Sequence, residues 1–142
     1  MRAVLAAVVL LAAGCGNGQK ALPPACSDGA PAILHALRSA PGPVRLGDGT
    51  PLSDCVARAY GDGEIQELGY SFTPAADTLA ARRTPRAALQ LGYLVGAVRR
   101  GAQHTNGVQG EIVHRLERML DLLAPGLQRV AAGGEHAGEA NG

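Results

Sequence analysis

Between residues 62 and 123, apolar side chains recur every three or four positions. That period admits helices and little else. Ile65, Leu68, Phe72, Ala76 and Leu79 form one stripe, and Leu91, Leu94, Val95 and Val98 a second. Ile112, Leu116, Met119, Leu120 and Leu123 form a third. The helix boundaries are punctuated in the same terms. Asp62 is placed to cap the first of these helices. Pro74 falls inside its stripe without shifting the phase, which favours one kinked helix over two. Thr84-Pro85 is a cap followed by proline at the first helical position, and Gly101 is a C-cap candidate. Residues 101–107 (GAQHTNG) read as a loop, and a last helix runs from Val108 to Leu123, where Pro125 stops it. A single long helix over residues 85–123 would also satisfy the apolar spacing. Gly101, Asn106 and Gly107 favour the broken version.

Upstream, the signals are shorter. Pro31 to Ser39 predicts a helix with Ile33, Leu34 and Leu37 on one edge, and Ser53 can cap another that carries Cys55, Val56 and Ala59. Between them, Gly47-Asp48-Gly49 is flanked by Val44-Arg45-Leu46 and Thr50-Pro51-Leu52, a pattern for a short β-hairpin near residues 44–52. The chain is therefore expected to be all-α, a small helical bundle over residues 30–132. Residues 15–29 are rich in Gly and Pro and read as a flexible tether. Residues 133–142 (GGEHAGEANG) are polar and aperiodic and read as a disordered tail.

The 142 residues fit one domain, and 46% apolar content is enough for its core. Aromatics are only 3% and the formal charge is +1. Nucleic-acid binding wants a basic surface and stacking rings, so no nucleic-acid partner is expected. Lys20 is the only lysine, which also removes the P-loop lysine from consideration.

Ala3 to Ala13 is an unbroken apolar run of 11 residues behind Arg2. This has the length of a signal-peptide core and is too short to span a bilayer. Small residues close the run and a cysteine follows. The stretch Leu11-Ala12-Ala13-Gly14-Cys15 resembles the lipobox of bacterial lipoproteins, with Leu11 one place earlier than usual. The resemblance covers only the amino terminus. It implies that residues 1–14 are a removed signal peptide and that Cys15 carries the lipid, a diacylglycerol with palmitate-type acyl chains. It also implies an exported protein anchored to the extracytoplasmic face of the bacterial membrane. Cys26 and Cys55 are then the remaining cysteines, and in an oxidising compartment they read as one disulfide. Its loop encloses 28 residues, worth roughly 3.5 kcal/mol by loop entropy.

Chemistry is sparse. Glu111 and His114 make a single Glu-x-x-His, with Glu64 and Glu67 as conceivable further carboxylates, but the di-metal bundles use that motif twice. Ile112 and Leu116 set the inward face and leave His114 nearly opposite it. His35, His104 and His136 share no metal-ligand spacing. Gly69-Tyr70-Ser71-Phe72-Thr73 lacks both the final glycine and the preceding strand of a nucleophile elbow. Arg82, Arg83, Arg99 and Arg100 sit in last turns of helices, where cations complement the dipole. No catalytic, cofactor or metal residue is nominated. The expectation is a non-enzymatic envelope lipoprotein whose partners are the membrane, through its lipid, and an unknown envelope protein or component. The competing expectation is a small-molecule carrier or enzyme with its site between helices.

Overall fold

Proline and glycine set the helix boundaries, but not always in the roles the sequence suggests. The computed structural model describes residues 20–103, 105 and 107–142. Among them the elements are α1 (Ala30–Ala36), α2 (Leu52–Arg58), α3 (Asp62–Arg82), α4 (Pro85–Ala102), α5 (Gly110–Asp121) and α6 (Pro125–Asn141). Short 3-10 turns cover Pro24–Ser27 and Leu37–Ser39. There is no strand among the described residues, so the all-α bundle stands.

One helix, α3, passes straight through Pro74. Phe72, Ala75, Ala76 and Leu79 stay buried on both sides of the proline. Burial of a continuous stripe outweighs the one hydrogen bond that proline removes. At its start Gly61 is the cap rather than Asp62, and the Glu64 carboxylate accepts from the N–H groups of Tyr60 (2.9 Å) and Gly61 (3.3 Å). Thr84 caps α4 as expected, its Oγ1 accepting from the Ala87 N–H at 3.2 Å. The segment 85–123 is two helices, as the glycines favour.

The β-hairpin near residues 44–52 does not form. Gly47-Asp48-Gly49 makes the tight turn, closed by Leu46 N–H to Thr50 carbonyl at 2.9 Å and by Thr50 N–H to Asp48 Oδ1 at 2.9 Å. No ladder follows, because the Val44 N–H donates to the buried Tyr93 hydroxyl at 3.1 Å instead. Val44 and Leu46 sink into the helical core, and Leu52 already belongs to α2. Ser53 is not a cap either. It lies inside α2 and its hydroxyl donates to the Gly142 carbonyl at 2.6 Å.

The larger correction concerns residues 133–142. They are not a disordered tail but the second half of α6, and Pro125 begins that helix as well as ending the α5 pattern. The reason lies in small side chains. Gly92 and Gly96 on α4 meet the Ala131 and Glu135 backbone of α6, and Gly134 and Gly138 on α6 meet the Leu89 and Tyr93 backbone of α4. A Cβ at Gly92 would overlap the Ala131 carbonyl, and one at Gly134 would overlap the Leu89 carbonyl. The docking face therefore contains almost no large apolar residue, and an apolar-period search passes over it. Arg100 Nη1 donates to the carbonyls of Glu139 (2.9 Å) and Ala140 (2.6 Å), and Arg45 to that of Asn141 (3.1 Å). These bonds satisfy carbonyls that the helix end leaves unpaired. Gly101, expected as a C-cap, instead lies buried inside α4, where a Cβ would overlap the Ser53 carbonyl.

The described part of the expected tether, residues 20–29, is not all flexible linker. The Pro24–Ser27 turn is part of the domain, and Cys26 is fully buried. It is joined to Cys55 on α2, with the two Cα atoms 5.6 Å apart, as the cysteine count suggests.

Glycines of the two kinds should respond oppositely to the same substitution. Gly92→Ala and Gly134→Ala are each expected to lower stability by about 1–3 kcal/mol through overpacking. Gly133→Ala, on the same helix with open space around its Cβ, should raise it by up to about 1 kcal/mol. Urea unfolding of the three variants beside the parent measures both signs.

Candidate functional groove

Every large side chain of α4 finds a partner inside the molecule, whereas α3 and α5 leave an open groove between their first halves. Its volume is about 450 Å³. Ile65, Gly69 and Pro74 of α3 and Ile112 of α5 make it mainly apolar, and Glu111 and Arg115 line its α5 side. Those two pair at 3.4 Å, so Arg115 brings little uncompensated charge. Gln66 donates to the Tyr70 hydroxyl at 3.1 Å and steadies a ring that is 71% exposed.

Beside the groove one helix bond is missing and one buried side-chain oxygen lacks a partner. Pro74 has no N–H to offer the Tyr70 carbonyl, so the usual helix bond is missing there. One residue before Pro74, the Thr73 Oγ1 is buried without any hydrogen-bond partner. A buried polar atom left unpaired costs about 1–3 kcal/mol.

Apolar exposure gathers at the same end. Among the described residues the large exposed apolar side chains are Tyr60, Tyr70, Val108 and Leu122. Tyr60 immediately precedes the cap of α3, and Val108 lies two residues before α5. Gln109 ties these segments together, its Nε2 donating to the Ala59 carbonyl at 2.6 Å. Of the four, Tyr70 lines the groove, while Tyr60 and Val108 lie in the segments that lead into α3 and α5. Leu122 belongs to a second, separate cleft of about 610 Å³ between the end of α3 and the α5–α6 turn.

The residues singled out from the sequence are scattered. Cys15 and His104 lie outside the described residues. Glu111 reaches the groove, but His114 points to solvent, 71% exposed, against Glu117 at 3.3 Å. Glu64 is occupied at the start of α3, and Glu67 is exposed on that helix. No three potential metal ligands cluster among the described residues. Ser71 is buried in mid-helix and is no nucleophile elbow. His35 contacts Arg38 next to α1, and His136 is exposed on α6. The groove itself is absent from the sequence reading. Ile65 and Ile112 were legible as stripe residues and assigned to the core, and Tyr70 and Gln66 carried no signal beyond their polarity.

Arg99 has a different role from the one its place at a helix end suggests. Its guanidinium meets Glu117 of α5 at 2.8 Å and Glu135 and Glu139 of α6 at 2.6 and 3.5 Å. Burial works against ionising Glu117, but the hydrogen bond and charge of Arg99, helped by His114, more than offset it and hold the carboxyl below the ordinary range. Desolvation likewise opposes the Arg99 charge, and Glu117 and Glu135 overcome it, raising its pKa. Arg99, Glu117 and Glu135 form a structural clamp joining three helices, distinct from the groove.

No family model, curated protein or solved structure matches the chain. The functional reading therefore rests on the residues themselves.

The clamp predicts the acid limb of stability. A carboxyl whose pKa is depressed on folding contributes stability above its unfolded value, about 4.3 for Glu. That contribution is lost as pH falls through the folded value. Stability of the parent should therefore drop below about pH 4.3, and Arg99→Leu should flatten that part of the profile while lowering the plateau. Chemical denaturation between pH 3 and 7 checks both features.

Proposed function

We propose that the chain is an exported lipoprotein, held at the extracytoplasmic face of a bacterial membrane by Cys15, whose helical domain binds an envelope partner without catalysing a reaction. The observation that carries this reading is the 11-residue apolar run ending in Ala13-Gly14-Cys15. A cysteine at that boundary is what lipid attachment requires. One acyl chain binds a membrane marginally, whereas the two or more of a bacterial lipoprotein anchor it stably.

Two further features support it. A buried disulfide between Cys26 and Cys55 suits an oxidising compartment. No helix among the described residues is long and apolar enough to cross a membrane, so attachment would fall to the lipid. Eight residues separate Cys15 from the first turn at Pro24, a reach of about 28 Å when extended. Without residues 1–14 the chain carries 12 basic and 12 acidic side chains, so no net charge draws the domain onto anionic headgroups. The domain would stand close to the bilayer without lying on it.

A binding role, rather than an enzymatic one, is supported by the groove. It is open, mainly apolar and lined by the exposed ring of Tyr70, the makeup of a contact surface. Nothing within it resembles a nucleophile with its base.

Metabolic labelling with an alkyne fatty acid tests the anchor. The parent should be labelled and fractionate with membranes, and Cys15→Ser should lose both properties. Labelling that persists in Cys15→Ser overturns the assignment.

A further inference from the structure

The groove between α3 and α5 has a chemistry specific enough to describe its occupant. Its apolar surface centres on Ile65, Gly69 and Ile112, and a Cβ at Gly69 would touch nothing within 4 Å. An incoming side chain can therefore approach the α3 backbone directly. Beside this surface Pro74 leaves the helix bond to the Tyr70 carbonyl unmade.

Charge around this groove is one-sided. From its start to Tyr70, α3 carries Asp62, Glu64 and Glu67, and its first basic residue is Arg82. Asp62 lies one turn before Gln66, and Glu67 one turn before Tyr70, so both border the stripe that lines the groove. Glu111 adds a carboxylate from α5, and Asp62, Glu67 and Glu111 are all exposed. Arg115 is the only cation lining the groove, already paired with Glu111.

We propose that this groove docks an amphipathic, basic segment of a partner protein. The segment would seat apolar side chains over Gly69 and Ile112, with flanking Lys or Arg facing Asp62, Glu67 and Glu111. Laying one apolar helix face into such a groove is a recurrent mode of recognition. The acidic rim disfavours an anionic lipid surface as occupant, since like charges face each other across the contact. This inference rests on the partner-binding reading and gives the partner its chemistry.

The test places the photo-crosslinker p-benzoylphenylalanine at Tyr70 of the full chain in the producing cell. The expected product is one partner, with the crosslinked peptide carrying apolar residues flanked by Lys or Arg. Gly69→Leu, where an added Cβ meets nothing within 4 Å, puts a side chain into the groove and should cut the yield by about tenfold, as should the charge reversal Glu67→Lys with Glu111→Lys. Unchanged thermal unfolding of both variants separates lost docking from lost folding. The same crosslinker at exposed His136 on α6 should not give the product. Absence of a product, crosslinks only to lipid, crosslinks to a second copy of the chain, or a partner peptide without basic residues each overturns the proposal. So does a yield indifferent to Gly69→Leu. Fatty-acid labelling read in the same cells keeps the two readings apart. Lost label with a retained Tyr70 product breaks the anchor alone, and retained label without the product breaks the groove alone.

Discussion

The bundle depends on a contact made almost without side chains, the backbone approach of α6 to α4. Four glycines inside α6 (Gly126, Gly133, Gly134 and Gly138) each cost about 1 kcal/mol of helix propensity relative to alanine. An isolated peptide of this sequence would not be helical. Gly134 and Gly138 become useful only when they meet the Leu89 and Tyr93 backbone, with Gly92 and Gly96 opening the same space from the other side. Dispersion between closely packed backbones then replaces the burial of large apolar groups. The helix and its docking site are thus formed together or not at all.

Polar groups hold that contact in register. Arg99 reaches α5 and α6 at once, while Arg100, Arg45 and Ser53 take up the carbonyls at the end of α6. The arginines are modest contributors alone, because their side chains keep some access to water, whereas Ser53 is buried. Their joint effect is positional. Three donors from three separate segments converge on one helix terminus, so α2, the 44–46 segment and α4 together fix where α6 ends. The disulfide then fixes α2 to the beginning of the domain and closes the same loop of dependencies from the other end.

The parts of this fold that were legible in the sequence are the parts built by large apolar side chains. The stripes of α3, α4 and α5 name their own buried faces, and Thr84-Pro85 names its own boundary. What escaped was everything held by tertiary context. The last ten residues contain no large apolar side chain, so their helix is visible only beside Gly92 and Gly96. The Gly47-Asp48-Gly49 turn was read correctly as a turn, but Tyr93, nearly fifty residues away, takes the N–H that a hairpin would have used. The paired cysteines were recoverable by counting. The groove was not, because a concavity between two helices is a property of how far apart they stand, which no periodicity records.

That separation divides the molecule into two unlike halves. Around α4 and α6 nearly every demand is met: the glycines are filled by backbone, the carbonyls by arginines and a serine, the charges by one another. Around the first halves of α3 and α5 the demands stay open, with an unpaired threonine hydroxyl, a proline-freed carbonyl, an exposed tyrosine ring and an acidic border around apolar ground. Both halves are built from the same composition, so the difference is one of placement. Selection for folding alone would favour closing such a groove, since Gly69→Ala would add helix propensity where no neighbour obstructs it. Its open glycine, exposed ring and unsatisfied oxygens are each small costs to stability, and they coincide in one place. A surface that tolerates several such costs together is where natural proteins keep their contacts with other molecules.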